Sequence, residues 1–275
     1  MPRTVWYPGH MARGTRKLYE LASKLDVIIE VRDSRAPAST SSPLIKSLAK
    51  IKPVIHVLSH KDLADNDKLN LWLNALKFTY SADLRKREGL ANVKKAIMKF
   101  KPQHREVRLA VVGIPNVGKS LLLNSLIGKS NASVGNIPGI TKSVNWYKNE
   151  GMLIVDSPGI LDPHAEEGSH LILSWLGCAK AEIVGGFEKS AIELIKFLCA
   201  KEFFDFIPVK SENELPELIL EEIGRKYGCL ISGGRVNLEL SGRKFIEAFS
   251  SGRLGKICLE LPHGEKVIDF NGGAA

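Results

Sequence analysis

Eight residues near the middle of the chain, Gly113-Ile114-Pro115-Asn116-Val117-Gly118-Lys119-Ser120, have the types and spacing that hold a polyphosphate. The glycines let backbone N–H groups wrap phosphate oxygens, and a following helix adds the favourable dipole of its N-terminus. Lys119 is then placed to reach the β- and γ-phosphates, and the Ser120 hydroxyl to sit on Mg2+. The flanks agree, since VRLAVVG reads as a strand and LLLNSLIG as an apolar helix. The run from Asn116 through Val117, Gly118, Lys119 and Ser120 to Leu121 is therefore the candidate phosphate cradle.

Downstream, Gly139-Ile140-Thr141-Lys142 and a strand MLIVD ending in Asp156-Ser157-Pro158-Gly159 fit a nucleotide switch. In that reading Thr141 senses the γ-phosphate and completes the Mg2+ shell, and Asp156 holds the metal through water. The turn at Pro158 and Gly159 brings the Gly159 amide to the γ-phosphate. Either segment alone is an ordinary loop. In this order behind a phosphate loop, the two form a set.

A guanine base would also need a carboxylate to accept its N1–H and N2–H2 donors, and after residue 159 no strand ends in one. Before the phosphate loop, PVIHVLS ends at Ser59-His60-Lys61-Asp62 and KFTY ends at Ser81-Ala82. Asp62 is the candidate guanine reader, and the Ala82 backbone N–H is placed to meet O6. The alternative for Asp62 is a turn or cap carboxylate in the run KDLADND. Both base segments precede the phosphate loop, so the functional order is permuted.

The elements that must position these residues follow from patterning. Short apolar runs alternate with amphipathic ones through the first 160 residues: DVIIEVRD, SPLIKSLAK, PVIHVLS, DKLNLWLNAL, KFTYSA, LANVKKAIMKF, VRLAVVG, KSLLLNSLIG, SVNWYK and MLIVDS. That alternation predicts an α/β fold, a mostly parallel sheet with helices on both faces. Ligands of such sheets bind beyond the carboxyl ends of the strands, where the suggestive residues lie. From about residue 165 the period becomes helical, as in SAIELIKFLCAKEFFDFI and SGRKFIEAFSSGRLG. The expected organisation is a domain over 1–165, a smaller all-helical domain over 166–264, and a tail over 265–275.

The chain has 275 residues with 44% hydrophobic and 25% charged, which excludes wholesale disorder. Its four cysteines, Cys178, Cys199, Cys229 and Cys258, show neither CxxC nor metal-ligand spacing and read as reduced core residues. No apolar run is long enough to span a bilayer, and no secretory signal opens the chain, so a cytoplasmic protein without a membrane partner is expected. Net charge is +9 and lies in the first 110 residues, which carry 22 Lys+Arg against 10 Asp+Glu. Such an asymmetry suits a nucleic-acid-facing surface or a solvated basic face.

The order and identity of these motifs resemble the circularly permuted GTPases of ribosome assembly, most closely the YlqF/RbgA type. The resemblance covers nearly the whole chain: Trp6-Tyr7-Pro8-Gly9-His10-Met11, Arg32-Asp33-Ser34-Arg35-Ala36-Pro37, the phosphate loop, Pro138-Gly139-Ile140-Thr141, Asp156-Ser157-Pro158-Gly159 and Gly252-Arg253-Leu254-Gly255. It implies GTP hydrolysis, with GTP and GDP as ligands and Mg2+ as cofactor. It also implies binding to the large ribosomal subunit and its rRNA, here as a monomer. His10 is implicated in positioning or activating water, because Ile160 stands where Ras-like enzymes carry a water-orienting Gln. A structural histidine at a helix start is the rival reading. Asn116 is implicated in holding K+ against the phosphates, with a loop-bracing Asn as the alternative. One departure concerns the base motif Asn-Lys-x-Asp, in which Ser59 and His60 replace the first two residues. RNA-facing candidates are Arg85, Lys86, Arg87, Lys94, Lys95, Lys99 and Lys101, with Arg243, Lys244 and Arg253 in the helical part. Two other classes stay open at this point, a phosphotransferase and an RNA scaffold that hydrolyses nothing. The former is disfavoured because residues 121–160 offer only Lys129, Lys142 and Lys148 as lid cations.

Overall fold

The computed structural model describes residues 16, 18–128, 133–134, 146–156, 167–211 and 215–262. They divide into two compact units, one reaching residue 163 and including 260–262, the other running from 164 to 259.

The first unit is built on a seven-stranded sheet, β1 (Val27–Asp33), β2 (Val54–Ser59), β3 (Thr79–Ser81), β4 (Val107–Val112), β5 (Ser133–Val134), β6 (Trp146–Asn149) and β7 (Met152–Asp156). Their spatial order is β3-β2-β1-β4-β7-β6-β5. Strands β3, β2, β1, β4 and β7 pair in parallel, while β6 and β5 run antiparallel at one edge. Every residue of β1 is buried, as expected of a central strand covered on both faces. The connections are α1 (Ile45–Leu48) between β1 and β2, α2 (Asn66–Ala75), α3 (Leu90–Met98) and, after β4, α4 (Lys119–Ile127). Helix α2 starts where the Asp65 carboxylate accepts the Lys68 amide, and α3 buries Leu90, Val93, Ala96 and Ile97 at helical spacing.

Chain direction across the sheet reverses between β1 and β4. From β1 the chain steps outward to β2 and β3, whereas from β4 it steps the other way to β7. A crevice forms at the carboxyl ends of strands beside such a switch point. The ends of β1, β2, β4 and β7 supply Asp33, Ser59, the loop after Val112, and Asp156.

The second unit holds four helices among the described residues, α5 (Glu167–Trp175), α6 (Phe187–Ala200), α7 (Pro216–Lys226) and α8 (Leu238–Ser250). Its core includes Trp175, Leu194, Ile195, Leu198, Leu220, Ile223 and Phe245, all essentially without exposure. The Trp175 indole donates to the Ser190 carbonyl at 2.9 Å. A single β-bridge, Leu230 with Val236, interrupts the helical pattern.

Candidate functional site

The phosphate loop begins as β4 ends. Gly113 has φ +154°, and a Cβ there would lie 2.6 Å from the Val31 carbonyl oxygen of β1, so the loop can leave the sheet here only without a side chain. Asn116 takes φ +61° and Gly118 φ +96°, the left-handed turns that aim successive amides to one side. Gly118 caps α4, whose first residue is Lys119. The ammonium of Lys119 donates to the Ile114 carbonyl at 2.7 Å, folding the side chain back over its own loop. Ser120 is exposed, and its hydroxyl has no partner among the described residues.

The end of β2 meets this loop directly. Ser59 Oγ lies 2.6 Å from the Val117 carbonyl and 2.9 Å from the Arg32 carbonyl, with donor geometry to both. A residue 58 positions earlier in the chain thus fastens the phosphate loop. His60 follows in a left-handed conformation, φ +53°, and initiates the short 3-10 turn Lys61–Leu63 that carries Asp62. Ser59, His60, Asp62, Asp83, Leu84, Arg85 and Leu121 line one shallow cleft open to solvent. Asp62 is half-buried, and its carboxylate has no hydrogen-bond partner among the described residues.

Behind the cleft lies a buried ionic layer that the sequence signalled only as a motif without roles. Asp33 ends β1 fully buried, and its two oxygens meet the Arg35 guanidinium at 3.0 and 2.8 Å. His60 Nδ1 approaches Asp33 Oδ2 at 3.0 Å. Burial pushes the Asp33 carboxyl up, but the charge of Arg35 and the hydrogen bonds from His60 and Arg35 together hold it well below the usual carboxylate range. Three positions earlier, the buried Glu30 takes Arg32 and His56, each at 2.7 Å, and the Ser42 amide, also at 2.7 Å. Against the desolvation of burial, these partners hold Glu30 below its ordinary range too.

Glu260 is a further member that no sequence signal marked, because it lies far along the chain. Its carboxylate accepts the Ala38 amide at 2.7 Å, the Ser39 amide at 3.1 Å and the Ser39 hydroxyl, and its carbonyl accepts the Trp72 indole at 3.0 Å. Burial outweighs these bonds and pushes the Glu260 carboxyl up. The turn it grips continues to Thr40, whose hydroxyl accepts the Asp33 amide at 2.9 Å.

One expected role changes. The Ala82 amide donates to the Leu58 carbonyl at 2.9 Å, completing the β2–β3 pairing, so it is not open to a base oxygen. Ser81 closes β3 half-buried. Asp156 ends β7, described here by its backbone. His10, Thr141, Pro158 and Gly159, with Ile160, lie outside the described residues. Of the basic candidates, Lys94 pairs with Glu150 at 2.6 Å, Arg243 with Glu247 at 2.9 Å, and Lys244 donates to the Tyr227 carbonyl. Arg85, Lys86, Arg87, Lys95, Lys99, Lys101 and Arg253 are exposed.

Comparison with known proteins reads this geometry independently. A family model described as 50S ribosome-binding GTPase matches residues 108–196, from β4 into α6. The match starts at the phosphate strand and leaves β1, β2 and β3 before it. The chain is 32% identical to the "Ribosome biogenesis GTPase A" of Bacillus cereus, with 96% of each chain covered. The same-named protein of Thermotoga maritima is also 32% identical, with 94% of each covered. The chain belongs to the YlqF/RbgA family of circularly permuted ribosome-assembly GTPases. The GNP-bound YlqF of T. maritima superposes with a TM-score of 0.68 at 25% identity, covering 91% of this chain and 99% of that one. A GDP-bound YlqF structure gives the same TM-score and identity. The family is not confined to bacteria, since the mouse "Mitochondrial ribosome-associated GTPase 1" is 31% identical over 93% of this chain. In this YlqF/RbgA-family member the permutation is visible in the sheet itself. The strand that ends at Ser59 comes before the phosphate strand in sequence, with only β1 between them in space.

Proposed function

We propose that this chain binds GTP and GDP across the switch point of its sheet, hydrolyses GTP to GDP and phosphate, and cycles as a switch in assembly of the large ribosomal subunit. The observation that supports this reading is the hydrogen bond from Ser59 to the Val117 carbonyl, which joins the strand leading to Asp62 to the loop leading to Lys119. A base at one end and phosphates at the other is what a nucleotide requires. The names of the relatives support the ribosomal assignment.

Within this reading, amides from Asn116 to Leu121 and the Lys119 ammonium hold the phosphates, Asp62 accepts the base donors, and Ser59 braces loop against strand. Ser120, Thr141 and Asp156 would hold Mg2+, which supplies charge neutralisation at the β- and γ-phosphates when bound. The open Ser120 hydroxyl fits that role. Asn116 is the ligand proposed for K+, His10 the group proposed to orient water, and Pro158 and Gly159 the switch turn. Residues 1–165 then form the GTPase domain, and 166–264 an RNA-contacting helical domain. Its ligand would be the rRNA of the large subunit, met by a cytoplasmic monomer.

Phosphate release from GTP, followed with and without purified large subunits in K+ and in Na+, tests the proposal. We expect turnover that subunits accelerate and that K+ favours. Tight GTP binding with no turnover under any of these conditions would leave the non-hydrolysing scaffold.

A further inference from the structure

Guanine presents the donors N1–H and N2–H2, and on its other edge the acceptors O6 and N7. Asp62 accounts for the donors. The acceptors must find donors in the same cleft, and its lining can be taken group by group.

The Ser59 hydroxyl has a single hydrogen, already engaged between the Val117 and Arg32 carbonyls. The Ala82 amide is held by Leu58. Asp83 is an acceptor, and its Oδ1 takes the amides of Arg85 and Lys86, each at 3.0 Å. His60 turns Nδ1 to Asp33 at 3.0 Å and to the Ser59 hydroxyl at 3.3 Å, so that edge of its ring is committed to the ionic layer. The side chains of Leu84 and Leu121 are apolar. Among the lining side chains, the one that offers a pair of parallel donors is Arg85, exposed on the cleft wall, whose guanidinium makes no ion pair or hydrogen bond among the described residues. Asp83, 2% exposed, pins the turn that carries it.

We propose that Arg85 is the specificity-determining residue that reads the O6 and N7 edge of guanine in this chain. The planar guanidinium fork matches those two acceptors with parallel N–H donors, a pairing that distinguishes guanine from adenine wherever it occurs. Adenine places an amino group where guanine has O6, so the same fork disfavours it. The fork thus supplies the two donors that the shortened Ser59 and the engaged Ala82 amide do not.

The proposal rests on the guanine-nucleotide reading above, and its test keeps the two apart. Dissociation constants of GDP, 7-deaza-GDP (which lacks N7 as an acceptor), ADP and XDP are measured on the full chain at a pH well above the usual imidazole value of about 6.5. The proteins compared are the wild type, Arg85→Met, Arg85→Lys and Asp62→Asn. We expect Arg85→Met to weaken GDP about ten-fold or more while ADP changes little, on the scale of a bidentate base contact. The penalty for 7-deaza-GDP seen in the wild type should vanish in Arg85→Met and survive in part in Arg85→Lys. A methionine variant that binds GDP like the wild type, with the 7-deaza penalty intact, overturns the proposal. So does one that loses only rRNA affinity, which would return Arg85 to the basic surface of Lys86 and Arg87. A wild type that does not prefer GDP to ADP, or an Asp62→Asn protein that does not gain XDP, overturns the guanine reading itself and the proposal with it.

Discussion

At the scale of single residues, the proposed hydrolysis turns on His10, since Ile160 stands where a water-orienting side chain would be needed. An isoleucine cannot orient water, whereas a neutral imidazole near its ordinary pKa can hold or accept a proton at neutral pH. His10→Ala is expected to lower the GTP turnover number by about a hundred-fold while the dissociation constant for GTP stays within about two-fold, the signature of a group used only in the transition state. Equal losses in both would make it a binding or folding residue. His10 enters through the family resemblance alone, whereas other residues were legible from spacing. The phosphate loop and Asp62 follow from local order, and their convergence needed only the usual placement of loops at strand ends. Arg85 was visible as a charge, but its place on a cleft wall comes from the Asp83-pinned turn, which no spacing rule encodes. The Ala82 amide went the other way, because hydrogen-bond pairing along β3 engages it in the sheet.

Among the elements, the buried parallel strands and the longer helices could be read directly, since β1, β2 and β4 are short, mainly apolar runs bounded by turn residues. The two-residue β5 carries too little pattern to announce itself. The turn over Ala36–Thr40 is the element whose support could not be read at all, because its anchor, Glu260, is more than 200 residues away. Removing that anchor should matter through two stranded amides. Glu260→Ala is expected to lower unfolding free energy by about 1–3 kcal/mol in urea titration, because the Ala38 and Ser39 N–H groups lose a buried acceptor. Glu260→Gln keeps an acceptor and relieves the buried charge, so it should cost clearly less. Equal midpoints for the two variants would mean the carboxylate does not hold the turn.

For the molecule as a whole, the buried Asp33 and Glu30, with the half-buried Asp26, carry the response to acid. Asp26, Asp33 and Glu30 all titrate below their ordinary values of 3.8, 3.8 and 4.5 in the folded state. Each therefore contributes stability that is present above its unfolded value and lost as pH falls through its folded one. Glu260 is raised above 4.5, so its contribution has the opposite sign, present below 4.5 and lost as pH rises through the folded value. Three groups against one predict a net loss, and the urea midpoint should fall steadily between about pH 5 and about pH 2. Asp33→Asn should flatten that limb. A midpoint independent of pH across this window would contradict the buried ionic layer.

The return of the chain to the first unit at residues 260–262 bears on how this architecture can be cut or recombined. Trp72 and the turn at Ala38–Ser39 take their partners from beyond α8, so a fragment that stops after the sheet would expose an unanswered indole and two unanswered amides. The nucleotide-facing half is thus not a self-sufficient cassette. A gene segment encoding the helices behaves as an insertion with two splice points, and any exchange of modules between relatives must carry both junctions together.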